Sequence, residues 1–318
     1  MLNQLAREGL VVRKKRLGSF VLPAKGRRTR PSGSDDLCIG LFHFKPEAYL
    51  YAANLAHAVV DGLHGEIEKL DRHLLYISCR RSGRLPDPDD IPWNILYGLM
   101  VLNVTDPAVL GEIGRWGRDR TVLIDVNGRD FDLHSVSFRN YEAGADLAAL
   151  MLQAGHRRFL MIRQKAKNPL ELDPAYTERN AGFMAAVKAV PGATVAVCDS
   201  YRKVERPAAY DRYVARIVRD RAFTAVFAPG TNLFQALQPC FDEAGLRFPA
   251  DYSVAGVGDP GGEGVPGITH VSFDMTELGQ AGVRLLAELV AQKPEGLHNR
   301  LVGGKMIPGH SIALPPKV

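Results

Sequence analysis

The chain has 318 residues, 46% of them hydrophobic and 24% charged, with a formal net charge of +5. That length is enough for two domains or one two-lobed domain with a substantial core. No run of about 18 apolar residues occurs, which argues against a membrane-spanning helix. The start, MLNQLAREGLVVRKKR, lacks the apolar stretch of a secretory signal. The four cysteines (Cys38, Cys79, Cys198, Cys240) are far apart and never in CxxC spacing. This speaks against a zinc site or a disulfide framework and is expected of a cytoplasmic protein.

The charge is unevenly placed. Residues 1–30 carry nine Lys/Arg against the single acid Glu8, while the rest of the chain carries 31 basic and 34 acidic residues. A basic head on a mildly acidic body points to a polyanion such as DNA, or to a solvated basic tail. Within that head, Leu2 and Leu5 have helical spacing and Gly9 is a natural helix stop. Val11-Val12, the basic turn 14–18 and Phe20-Val21 then read as a short hairpin with a glycine near its tip. Residues 23–36, PAKGRRTRPSGSDD, have the composition of a linker.

From residue 37 onward apolar runs alternate with amphipathic stretches. Strands are expected at 37–42, 74–79, 97–103, 121–125, 159–163, 193–198, 223–228 and 252–257. Helices are expected at 47–70, 141–154, 178–189, 207–221, 231–244 and 275–291. Gly155-His156 reads as a helix stop with a capping side chain. The alternation predicts α/β architecture with parallel sheets, and the number of strands exceeds what one doubly wound sheet holds, so two lobes are expected.

Ligands of open parallel sheets bind at the carboxyl ends of the strands. That rule selects Phe42-His43-Phe44, Asp125, Phe138, Gly230-Thr231-Asn232 and Gly258-Asp259, with Arg179 at a predicted helix start after Asp173-Pro174. Each has a structural reading beside the functional one. Asp125 and Asp259 could cap or tie local backbone, Arg179 could form an internal ion pair, and Phe42 and Phe44 could be core. No G-x-S-x-G, P-loop or H-E-x-x-H occurs, so neither a catalytic constellation nor a cofactor or metal site is expected; GDPGGEGVPG (258–267) lacks the lysine and helix of a phosphate loop.

Two resemblances sharpen this. LNQLAREGLVVRKKRLGSFV is similar to the close of a GntR-type winged helix, which implies that 1–22 is the end of a recognition helix plus its wing, and that Arg13, Lys14, Lys15 and Arg16 meet DNA phosphates. Residues 37–318 resemble the LacI-type sensor through NYEAGADLAALMLQAGHRRFLMI, ERNAGFMAAV, FTAVFAPGTNLFQALQPCFDEAGLRFPADYSVAGVGD and ITHVSFDMTELGQAGVRLL. That family implies the two-lobed periplasmic-binding-protein-like fold with three crossovers, a homodimer, and an effector in the interlobe cleft. Lobe one would be about 37–136 and 273–298, and lobe two about 137–272 and 299–318. The resemblance implies that Asp125 accepts ligand hydroxyls, that Arg179 donates to the ligand, that Phe138 packs on its apolar face, and that Asp274 lies near the cleft floor.

Some family positions differ here: Gly230-Thr231 replaces an Asn-Asp pair, Gly258 replaces an aspartate, and Asn140-Tyr141 replaces an Asp-Asn pair. The missing hydroxyl partners favour an acidic, aromatic or larger effector over a plain hexose. The reading is a bacterial DNA-binding regulator, not an enzyme, that binds a sugar-like effector and has a truncated head. The alternative is a cytoplasmic small-molecule binder without specific DNA binding.

Overall fold

The computed structural model describes Cys38–Pro316 apart from 44–54, 79–90, 92, 94, 103, 167–171, 202–209 and 259–266, together with the backbone of 11–14 and 18–21. The earliest described elements are β1 (Val11–Lys14) and β2 (Gly18–Val21), an antiparallel pair in which Val12 faces Phe20 and Lys14 faces Gly18. This is the hairpin expected from the alternation. The helix expected before it lies outside the described residues.

The chain divides into two compact units. Unit 1 comprises Met1–Ile124, Gly128–Ser135 and Gly279–His298, and unit 2 comprises Asp125–Asn127, Val136–Leu278 and Asn299–Val318. One six-stranded sheet has the order β13-β7-β6-β5-β3-β4, from β3 (Cys38–His43), β4 (His73–Ser78), β5 (Leu96–Leu102), β6 (Thr121–Ile124), β7 (His134–Phe138) and β13 (Asn299–Val302). The β3–β4, β3–β5 and β5–β6 pairs are parallel. The other has the order β14-β12-β11-β10-β8-β9, from β8 (Arg158–Lys165), β9 (Thr194–Tyr201), β10 (Ala225–Ala228), β11 (Ser253–Val257), β12 (Thr269–Phe273) and β14 (Gly304–Ile307). Its pairs are parallel except the edge strand β14, which runs antiparallel to β12.

Seven α-helices flank these sheets among the described residues: α1 (Leu55–Lys69), α2 (Pro107–Gly117), α3 (Asn140–Gln153), α4 (Pro174–Lys188), α5 (Tyr210–Asp220), α6 (Thr231–Glu243) and α7 (Met275–Gln292). This is the periplasmic-binding-protein-like α/β architecture expected from the sequence. Helix α2 has no counterpart among the expected helices. Gly111, Gly114 and Gly117 each weaken helical propensity by about 1 kcal/mol, but Asp106 caps the start by accepting from Ala108 N at 2.9 Å, Pro107 fits the first turn, and Leu110 and Ile113 are buried.

The strands match the apolar runs because a central parallel strand is buried on both faces. β6, β10 and β11 have every residue buried. In unit 2 the core beneath α5 and α6 is aromatic: Tyr252 stacks obliquely on Phe241 at 4.9 Å and also contacts Phe223, Phe234 and Phe248. In unit 1, Ile39, Leu41, Leu63, Leu99, Leu123 and Leu286 are fully buried. Cys38, Cys198 and Cys240 are free thiols, and burial pushes the Cys198 thiol up to about 12, as a core cysteine requires.

Candidate effector-binding site

In unit 2 the chain runs from β8 out to the edge strand β9 and returns as β10 on the other side of β8. The carboxyl ends of β8 and β10 therefore mark a topological switch point, where connections diverge and leave room for a ligand. Helix α4 begins beside this point. It starts at Pro174, four residues before the expected start, because Asp173 caps it by accepting from Ala175 N at 2.9 Å. Arg179 accordingly lies in the second turn of α4 rather than at its start.

Arg179 is buried, at 8% exposure. Its Nε donates to Asn140 Oδ1 at 2.8 Å, and its Nη1 donates to the carbonyl of Pro229, just past β10, at 2.8 Å. The rings of Tyr176 and Phe273 face its guanidinium at 5.5 and 5.4 Å. Phe138 stacks on Phe273 with centroids 4.3 Å apart. Asn140 also hydrogen-bonds the Glu178 side chain, whose pKa is raised mainly by burial. The Tyr176 hydroxyl donates to Asn232 Oδ1 at 3.2 Å, and its ring fills the space that a β carbon on Gly230 would need, 2.9 Å away. A β carbon there would also meet Asn232 Oδ1, at 2.5 Å, so the glycine that departs from the family pattern admits the hydrogen-bonded pair Tyr176 and Asn232.

Asp125 is the other notable group. Its backbone is left-handed (φ 64°), a conformation few non-glycine residues adopt, and its N–H donates to Val136 O at 2.9 Å. Its Oδ1 is buried and meets no hydrogen-bond partner among the described residues. Burial pushes its pKa up to about 7; the Asp173 charge adds to this, Arg179 opposes it and Glu178 adds again. A buried carboxyl oxygen without a partner is costly unless a ligand supplies one.

The remaining sequence candidates fall in several places. Thr231 begins α6 and its hydroxyl donates to Gly258 O at 3.2 Å. Asp274 is exposed and accepts from Glu277 N at 3.0 Å, which makes it the cap of α7. In unit 1, Phe42 is fully buried and meets Trp116 edge-on at 6.4 Å, a core position. His43 is buried and ends β3. Phe44, Asp259, Lys15 and Arg16 lie outside the described residues, and Arg13 and Lys14 are placed by backbone only, in β1. The structure therefore gathers Asp125, Arg179, Phe138 and Asn232 with Asn140, Tyr176 and Phe273, which the strand-end rule does not select. Tyr176 and Arg179 are three residues apart on one helix face, a spacing legible in the sequence once the helix start is set at Pro174.

Residues 148–312, more than half the chain, match the periplasmic binding protein-like domain family, and the chain belongs to that family. No curated protein matches it. Among solved structures it is similar to a LacI family transcriptional regulator from Enterococcus faecium with bound ribose (17% identity, 87% of this chain and 100% of that one, TM-score 0.61). It is also similar to a probable maltose operon transcriptional repressor from Staphylococcus aureus (14%, 88% and 98%, TM-score 0.68) and to a dimeric Lac repressor with a C-terminal deletion (16%, 88% and 100%, TM-score 0.66). At these identities the likeness is one of fold.

Proposed function

We propose that the chain is the effector-sensing part of a bacterial transcription regulator, and that unit 2 supplies Asp125, Arg179 and their aromatic neighbours to a small hydroxyl-bearing effector. The observation that carries this is the buried, unpartnered Oδ1 of Asp125 on a left-handed residue. Arg179 is already engaged by Asn140 and Pro229 and so is preorganised, with its second terminal nitrogen still to donate.

Charge decides the effector class, against the acidic effector that the sequence departures favour. Asp125, Asp173 and Glu178 act on one guanidinium, that of Arg179, so the site holds more acid than base. An anionic effector would meet repulsion, whereas a polyol can donate hydroxyls to Asp125 and stack its apolar face on Phe138 or Phe273. The interlobe cleft and homodimer implied by the family resemblance remain part of this proposal. Effector control of DNA binding would follow from different affinities for two sensor states.

A thermal-shift screen of neutral sugars, sugar acids and sugar phosphates tests the site. Neutral sugars should stabilise the wild type, and Asp125→Asn should remove the effect. Stabilisation by sugar acids alone, or equal stabilisation of both proteins, would sink the assignment. For the head, the β1–β2 hairpin fits a wing. In a chain extended to carry a complete winged helix, Lys14→Ala/Lys15→Ala should weaken DNA binding and make its salt dependence shallower, by about 0.9 in slope for each phosphate that is no longer neutralised. An unchanged slope would argue that the hairpin is not on DNA.

A further inference from the structure

Unit 1 contains a cavity of about 910 Å³ at the end of its sheet opposite the strand carboxyl termini. Its walls come from the amino ends of strands: Arg72 precedes β4, Leu96 begins β5, Arg120 precedes β6 and His134 begins β7. The segments after α2 and α7 close the other sides. The N–H of Cys38, the first residue of β3, donates to Ile95 O at 2.6 Å, beside the lining residue Leu96, so β3 begins at this end of the sheet.

The lining is chemically specific. Tyr97 and Trp116 supply aromatic wall, and Leu289, Val290 and Pro294 supply aliphatic wall. Trp116 Nε1 is buried and has no hydrogen-bond partner among the described residues, so the wall holds an unsatisfied donor. Two guanidiniums are held in place by rings: Arg72 lies over Tyr97 at 4.8 Å and Arg120 over Trp93 at 5.0 Å, with Arg120 Nη1 also donating to Leu96 O at 3.0 Å. Arg118 pairs with Asp132 at 2.6 Å, whereas Lys293 makes no ion pair among the described residues. His134 Nδ1 accepts from His298 N at 3.1 Å, which leaves the proton on its other nitrogen, a further donor.

The basic residues after α2 and α7 also offset the negative ends of those helices, about half a charge each. Arg118 is offset by Asp132, so Arg72, Arg120 and Lys293 face the two carboxylates Asp119 and Glu295 and the two negative helix ends. The wall is therefore near neutral as a whole and donor-rich around an apolar floor, and its local positive charge is Lys293. The cavity volume is at the upper end of ordinary ligand sites, which span about 300–1,000 Å³.

We propose that this cavity is a second small-molecule site, separate from the Asp125–Arg179 site, and that it takes an aromatic monoanion whose rings pack on Trp116 and Tyr97 and whose carboxylate meets Lys293 and Arg72. The site lies at the end of the sheet where β3 begins.

The chain has only two tryptophans, Trp93 and Trp116, and both stand in this corner. Intrinsic tryptophan emission of the full chain therefore reads this site without a signal from unit 2. Diphenylacetate, which does not absorb at the red edge of tryptophan excitation, should change that emission saturably with Kd below about 1 mM, and the neutral diphenylacetamide and plain acetate should bind at least about tenfold more weakly. Lys293→Gln, at an exposed position that leaves folding intact, and Arg72→Gln should each raise Kd by about three- to tenfold. No saturable change, equal binding of acid and amide, or a Kd unmoved by Lys293→Gln would overturn the proposal. Lys293→Gln should leave sugar-induced stabilisation at the unit 2 site as it is in wild type, and a failed sugar screen would not affect the tryptophan result, so the two sites fail separately.

Discussion

Gly144 lies against the backbone carbonyl of Arg179 so closely that a β carbon at 144 would overlap that oxygen. The contact is reciprocal, because a β carbon at Gly182 would overlap the carbonyl of Tyr141. Helices α3 and α4 thus cross with their backbones touching. The crossing brings Asn140, at the start of α3, to the guanidinium of Arg179 on α4. The position of the buried arginine is set by two glycines that contact no ligand.

Gly144→Ala or Gly182→Ala should therefore destabilise the chain by about 1–3 kcal/mol or more, because backbone cannot yield as a flexible side chain does. Gly65, inside α1, has no atom within 4 Å of its would-be β carbon. Gly65→Ala should instead stabilise by about 0.5–1 kcal/mol. Urea denaturation of the three variants measures this, and a neutral Gly144→Ala would show that the crossing is looser than described.

Arg179→Lys should also be costly. A lysine has no planar fork with which to reach Asn140 Oδ1 and Pro229 O together, so one buried acceptor is left without its donor, at about 1–3 kcal/mol. A double-mutant cycle with Asn140→Ala should give a coupling of about 1 kcal/mol. Strict additivity would mean that the pair does not interact in solution.

The fold is legible in the sequence where burial is two-sided. Runs such as FTAVFA and YSVAGV read as strands because every side chain of β10 and β11 is inside. β7 and β12 escape that reading. HSVSF and THVSF alternate polar with apolar residues, yet β7 is buried throughout, because its polar groups have partners: Ser135 Oγ accepts from Gly128 N at 3.0 Å and His134 Nδ1 from His298 N at 3.1 Å. Sequence pattern carries no record of such distant partners. The same holds for the site. Asp125 and Arg179 stand out as charged residues beside apolar runs, whereas Phe273 and Asn232 become neighbours of Arg179 and Tyr176 only through the sheet order. Gly155 does stop α3, with φ 96°, but the His156 side chain reaches Thr224 and Ser253 instead of capping the helix.

Asp125 predicts an unusual pH dependence for the ligand-free protein. Its pKa is about 7 in the fold against an ordinary 3.8. The folded state therefore holds a proton that the unfolded state releases between those values. Stability from this group is full below about pH 4 and declines until about pH 7, after which the deficit is constant. Asp125→Asn removes the charge and should raise the melting temperature at pH 8 by several degrees, at about 2–4 °C per kcal/mol for a unit of this size. At pH 4 it should change little. A variant no more stable than wild type at pH 8 would mean that the carboxylate finds a partner in solution. A polyol that donates to Asp125 should release a proton on binding near neutral pH, which calorimetry in buffers of different ionisation enthalpy detects.

His156 gives the opposite slope and a way to separate the two. The ring is fully buried and joins three parts of unit 2: Nδ1 meets Thr224 Oγ1 at 2.9 Å, and Nε2 meets Ser253 Oγ at 2.9 Å and Ala313 O at 3.0 Å. The Ala313 carbonyl can only accept, so Nε2 carries the proton and the neutral ring fastens the C-terminal segment to β11. Burial lowers its pKa, with the Ala313 carbonyl opposing. A depressed histidine contributes stability that is present above its ordinary pKa of 6.5 and is lost as pH falls through the folded value. His134 is lowered as well, by burial first and then by His298 and Arg118, and adds the same slope from unit 1. His156→Gln should lower stability at pH 7.5 by about 1–3 kcal/mol, through unmet buried partners, and should flatten the acid limb below pH 6.5. Combined with Asp125→Asn it should leave, below pH 6.5, the His134 contribution, which His134→Gln then removes, beside the opposite slope from the raised Glu178 pKa. If the acid limb survives in His156→Gln and disappears in His134→Gln, acid sensitivity belongs to unit 1 and the C-terminal latch is not its source.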